Sequence, residues 1–150
     1  MTKTNENTVS KLNEFYRGEK SAVETYELAI KSVKDPELNN VLKQLCHSHA
    51  ERVKTLEKEI QEAGGKADEG SGAWGAFAKL VQGGADLFGD SSAVSALEEG
   101  EDRGIKMYAD AMKEEDIHIR KLATESLMPM QKMSHDICRK LKQSVKGAST

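Results

Sequence analysis

Several absences narrow the field before any residue is assigned a role. The chain of 150 residues has two cysteines, Cys46 and Cys138, too few for a disulfide framework. They point to reduced thiols and a cytoplasmic setting. It has two prolines, Pro36 and Pro129, so long uninterrupted helices are permitted almost everywhere. Aromatics make up 5% of the residues. No run of apolar residues approaches the roughly 20 needed to span a bilayer. The first seven residues, Met1 to Asn7, lack the apolar stretch of a signal peptide. A formal net charge of −3 offers no electrostatic footprint for nucleic acid or an anionic membrane. Glycine-rich phosphate loops, nucleophile–base pairs and basic-aromatic stripes are missing too.

What is present is a repeat. Gly18-Glu19-x-x-Ala22-x-x-x-Tyr26-x-x-Ala29 returns 82 residues later as Gly100-Glu101-x-x-Gly104-x-x-x-Tyr108-x-x-Ala111. Both copies lie on helical apolar stripes. In the first the stripe is Leu12, Phe15/Tyr16, Glu19, Ala22/Val23, Tyr26, Ala29/Ile30 and Val33; in the second it is Val94, Leu97, Glu101, Gly104/Ile105, Tyr108 and Ala111/Met112. A carboxylate on a core-facing stripe is costly unless a metal, a cation or a hydrogen-bond donor meets it.

Periodicity and breakers predict four helices, at about 8–34, 36–63, 91–114 and 116–146. Asp35-Pro36-Glu37 is a stop and a restart: Asp35 a cap, Pro36 suited to the first helical position, Glu37 at the positive end of the dipole. Helix two carries Leu38, Val41/Leu42, Leu45, His49, Val53, Leu56 and Ile60 inward, and Gly64-Gly65 ends it. The mixed charges around it, including Arg52, read as a solvated face. Helix four turns Leu127/Met128, His135, Cys138, Leu141 and Val145 inward, and Pro129 should kink it or mark its true start. The segment 64–90 holds eight of the twelve glycines together with Trp74, Phe77 and Phe88. It reads as a crossover packed across the bundle, with a short helix over about 73–82. Two short-looped pairs and one long connection predict a single all-α domain, a four-helix bundle of ferritin type.

The sequence Gly18-Glu19-Lys20-Ser21-Ala22-Val23-Glu24-Thr25-Tyr26 resembles the first metal-binding helix of the rubrerythrin-like members of the ferritin-like superfamily. His49-Ala50-Glu51-Arg52 resembles the end of their Glu-x-x-His helix. Gly100-Glu101-Asp102 with His135-Asp136 resembles, more closely still, a bacterial ferritin-like bundle family. The resemblance implies Glu19, His49, Glu101 and His135 as metal ligands, with Cys46 as an additional candidate. It places the two bridging carboxylates at 46 and 132, where this chain has Cys46 and Lys132.

That departure sets the functional expectation. The bundle is expected to be non-catalytic or weakly metal-binding, a stress-type protein with a degenerate di-metal site holding at most one iron or zinc ion. Lys132 is a candidate to neutralise the glutamates in place of metal. The alternatives are a rubrerythrin-like oxidoreductase, reducing peroxide or oxidising iron, and an interaction module docking through the Trp74–Phe88 segment. A homodimer is expected. Cys46-x-x-His49 with His135-x-x-Cys138 looks like a zinc set, but the ferritin register separates the two cysteines by ~9 Å along the axis. Tyr26 and Tyr108 should close the core above the glutamates, His47 and His118 should face solvent, and the methionines of the second half should fill the core.

Overall fold

The computed structural model describes residues 3–69, 72, 74, 78 and 89–148, all-α and without a strand among them. Four long helical stretches form a bundle: α1 (Lys3–Ser32), α2 (Pro36–Glu62), α3 (Asp90–Ala111), and a last stretch made of α4 (Ile117–Leu122), a π-helical turn (Ala123–Leu127) and α5 (Met128–Ala148). No described helix is long and apolar enough to cross a membrane. The short helix expected over 73–82, with Phe77 and Phe88, falls almost wholly outside the described residues.

Local chemistry explains the boundaries. Asp35 caps α2, its carboxylate accepting from the Glu37 N–H at 3.0 Å, and Pro36 occupies the first helical position. The turn is pinned from outside, because Asp90 at the start of α3 accepts the backbone N–H groups of Lys34 and Asp35 at 3.1 and 3.2 Å. At the other end of α2, Gly64 takes φ +82°. Gly64 then donates to the Gln61 carbonyl and Gly65 to that of Ile60, closing the last turn in a Schellman pattern. Asp116 caps α4 by accepting from His118 and Ile119.

The last helix resumes its α form at Met128, one residue before Pro129, so the proline lies in the first turn of α5 as its sequence position led one to expect. Pro129 has no N–H for the Glu125 carbonyl, and the chain responds one turn earlier by widening. The Met128 N–H reaches the Ala123 carbonyl five residues back.

α1 packs along α2, and α3 along α5, as two pairs. The core divides into two apolar clusters. One gathers Tyr26, Ala29, Leu42, Leu45, Val94, Leu97 and Cys138. The other gathers Leu12, Phe15, Leu56, Ile60, Tyr108, Ile119 and Leu127. Along each helix the residues between the clusters are polar and still buried: Glu19 on α1, His49 and Arg52 on α2, Glu101 on α3, Gln131 and Ser134 on α5. The bundle thus has a polar layer between two apolar ones.

Candidate functional site: a buried polar layer at the repeat

Each helix contributes to this layer because its seam passes through it. Glu19 and Tyr26 are seven apart on α1, as are Glu101 and Tyr108 on α3, so each pair shares a face two turns long. His49 and Arg52 are three apart on α2, as are Gln131 and Ser134 on α5.

His49 is the hub. Its Nδ1 lies 2.7 Å from Glu19 Oε2 and its Nε2 lies 2.7 Å from Glu101 Oε2. With a carboxylate on each side, both nitrogens must carry protons, so the ring is an imidazolium. Burial works against that charge, but Glu19 and Glu101 outweigh it and lift the His49 pKa to about 9. Burial also opposes ionisation of the glutamates. The facing His49 charge prevails in both, helped by Arg52 at Glu19, and holds each below the ordinary carboxylate value.

The tyrosines bond crosswise. Tyr26, from the first copy of the repeat, donates to Glu101 of the second at 2.6 Å; Tyr108, from the second, donates to Glu19 of the first at 2.7 Å. Burial, then the neighbouring carboxylate, pushes both phenols well above their usual pKa, so they stay protonated donors.

Arg52 completes the layer and is fully buried. Its Nη1 donates to Gln131 Oε1 at 2.6 Å and to Glu19 Oε1 at 3.4 Å. Its Nη2 reaches Ser48 Oγ, Ser134 Oγ and the Met130 carbonyl at 2.9–3.0 Å. Gln131 and Ser134 both donate onward to Glu101 Oε1, at 2.8 and 2.7 Å. Two carboxylates, one imidazolium and one guanidinium leave no net charge. Among the described residues, Arg52 Nε is the one buried side-chain polar atom without a partner.

Of the ligands expected from the sequence, Glu19, His49 and Glu101 come together. His135 does not. It sits on the outer side of α5 with Nε2 2.5 Å from Asp102 Oδ1. Cys46 is half-buried, 3.8 Å from the Val23 carbonyl, and burial raises its pKa. Cys138 is buried 4.0 Å from the Val94 carbonyl, its thiol likewise pushed up by burial. Lys132 is exposed, so the neutralising cation is Arg52, the residue expected on a solvated face. Val53, expected inward, is only partly buried. Met133, expected in the core, is 64% exposed. His47 and His118 face solvent as expected.

One cause explains the errors on the last helix. Ser48-His49 and Ser134-His135 invite an alignment 86 residues apart. The folded chain keeps the 82-residue spacing of the glutamates: buried Leu45, His49, Arg52 and Leu56 correspond to buried Leu127, Gln131, Ser134 and Cys138. The counterpart of His49 is therefore Gln131. Leu45 with Leu127 is the one identity among these four buried pairs, and the polar pairs share none, which is why the register is hard to read in the sequence.

Glycines fit the layer closely. A Cβ on Gly100 would stand 2.1 Å from the Trp74 ring, and one on Gly104 would stand 2.3 Å from Gln131 Nε2. The Trp74 ring also stacks edge-on against Tyr26 and His49, with centroids 6.1 and 6.4 Å away. A cavity of about 100 Å³, lined by Gly18, Glu19, His49, Trp74, Gly104 and Met107 among others, lies beside the layer.

The class is thus an all-α helical bundle whose two halves meet through a buried, charge-balanced polar layer. The chain belongs to the family described as a domain of unknown function, DUF2383, whose model matches residues 7–114. That span carries both glutamates, both tyrosines, His49 and Arg52, and ends before Gln131 and Ser134. No curated protein and no solved structure matches the chain.

Proposed function

We propose that the protein is a ferritin-like bundle in which an internal ion network has taken the place of a di-metal centre, and that it acts as a non-catalytic, stress-type structural protein. The observation that carries this reading is Arg52, a fully buried guanidinium bonded to the same layer as Glu19 and Glu101. Two short-linked helix pairs and the internal repeat support the ferritin-like arrangement.

The residues of the layer do not fit a di-metal centre. Both nitrogens of His49 already face carboxylates, so the ring fills the space between Glu19 and Glu101. A metal would require it to shed a proton. The guanidinium 3.4 Å from Glu19 would repel a dication. In the 82-residue register the second bridging carboxylate and histidine would fall at Met128 and Gln131, and neither supplies charge. A homodimer in the cytoplasm remains the expected setting within this proposal.

The test is elemental analysis of protein purified without chelator, beside the Glu19→Gln variant. The reading expects no stoichiometric iron, no peroxide reduction or iron oxidation, and a less stable variant with the same metal content. Stoichiometric iron that Glu19→Gln removes would overturn it and favour the oxidoreductase reading.

A further inference from the structure

A second histidine–carboxylate group lies outside the polar layer, and the proposed function makes no use of it. Glu98 and Asp102 are four apart on α3 and so share one face. His135 meets them from α5. One ligand atom from each of the three lies within 4.8 Å of the other two. The His135 and Glu98 side chains are 17% and 15% exposed, whereas Asp102 is 51% exposed, so the group is anchored beneath and open above.

We propose that Glu98, Asp102 and His135 form a surface site for one divalent first-row metal ion, best matched by zinc, that clips α3 to α5. Two features support it. The donor set is one imidazole and two carboxylates, which suits zinc and its neighbours; imidazole does not suit magnesium or calcium, and no thiolate is present to select softer ions. Asp136 Oδ1 lies 3.6 Å from His135 Nδ1, beyond hydrogen-bond distance, and adds negative charge beside the ring. The metal would take the place of the proton shared between His135 Nε2 and Asp102. One group opposes an ion: Lys142 Nζ lies 2.8 Å from Glu98 Oε2 and competes for it. An incoming ion releases this long, 40% exposed side chain to solvent at little cost. The site shares no residue with the buried layer, so it stands or falls independently of the structural reading above.

The experiment is a calorimetric titration of the full chain, stripped with chelator and dialysed, with Zn²⁺ at neutral pH. One equivalent should bind. His135→Ala and Asp102→Asn should each weaken binding at least about tenfold. Lys142→Met should tighten binding, because the competing ammonium is gone. His118→Ala removes another exposed histidine–carboxylate pair, with Glu59 at 2.8 Å, and should change nothing. Asp102, Lys142 and His118 lie at the surface and His135 at its rim, and circular dichroism of each variant checks that it is folded. Failure of the native chain to bind one equivalent overturns the proposal. So does binding that His135→Ala and Asp102→Asn leave intact, which would mark adventitious surface association only.

Discussion

His49 and His135 each stand beside a carboxylate of α3, yet the protein treats them in opposite ways. His49 is buried, held at both nitrogens, and charged because two glutamates face it where water cannot. His135 lies at the rim, bonded to a half-exposed Asp102. The difference teaches that a histidine–glutamate pairing in a helical repeat does not by itself define a metal site. Its meaning depends on what else the layer contains. Inside, that is Arg52, which balances the charge; outside, it is solvent and an exchangeable lysine.

The largest way to break this contrast is to unbalance the inner layer. Arg52→Met leaves a buried carboxylate short of its cation and strands Gln131 and Ser134, and should cost about 3–5 kcal/mol in denaturant unfolding. Adding Glu19→Gln should recover part of that loss, with a coupling of about 0.5–3 kcal/mol in the double-mutant cycle.

Acidity tests the same layer without mutation. His49 has a folded pKa above its ordinary 6.5, so its contribution is complete below pH 6.5 and is lost as pH rises through about 9. Glu19 and Glu101 have folded values below 4.5, so theirs is complete above pH 4.5 and fades as pH falls through those lowered values. The layer should therefore stabilise most between pH 4.5 and 6.5. Thermal unfolding across pH measures this, and His49→Gln should flatten the alkaline limb.

Smaller effects sharpen the symmetry. Tyr26→Phe and Tyr108→Phe each remove one donor to a buried carboxylate and should each cost about 1.5–3 kcal/mol. Similar losses would match the crosswise geometry; a tyrosine that costs nothing would break it. Smallest of all, His135→Ala should change metal-free stability by less than about 1 kcal/mol, because a pair open to solvent on its Asp102 side contributes little.

Much of this architecture was legible in the sequence. The repeat announced two related halves, and Asp35-Pro36 and Gly64-Gly65 marked boundaries because their backbone requirements are strict. Glu19, Glu101, Tyr26, Tyr108 and His49 could be placed inward because they fall on regular stripes. Arg52 could not. A charged residue one turn from a histidine reads as solvent-facing until its partners on two other helices are known. The last helix was harder still, since Pro129 acts through a π turn before it. There the correct register pairs unlike residues, His49 with Gln131 and Arg52 with Ser134, while the misleading register pairs like ones.

The crossed tyrosines have a further consequence. Each half of the chain holds the other half's acid, so neither possesses a finished interior. In that sense the protein is a dimer of related hairpins written as one polypeptide, and its contract is reciprocal. Separation of the hairpins would break both tyrosine–glutamate bonds at once and open His49 to water. The two pairs should therefore unfold together, in one transition, rather than as a stable hairpin and a frayed one.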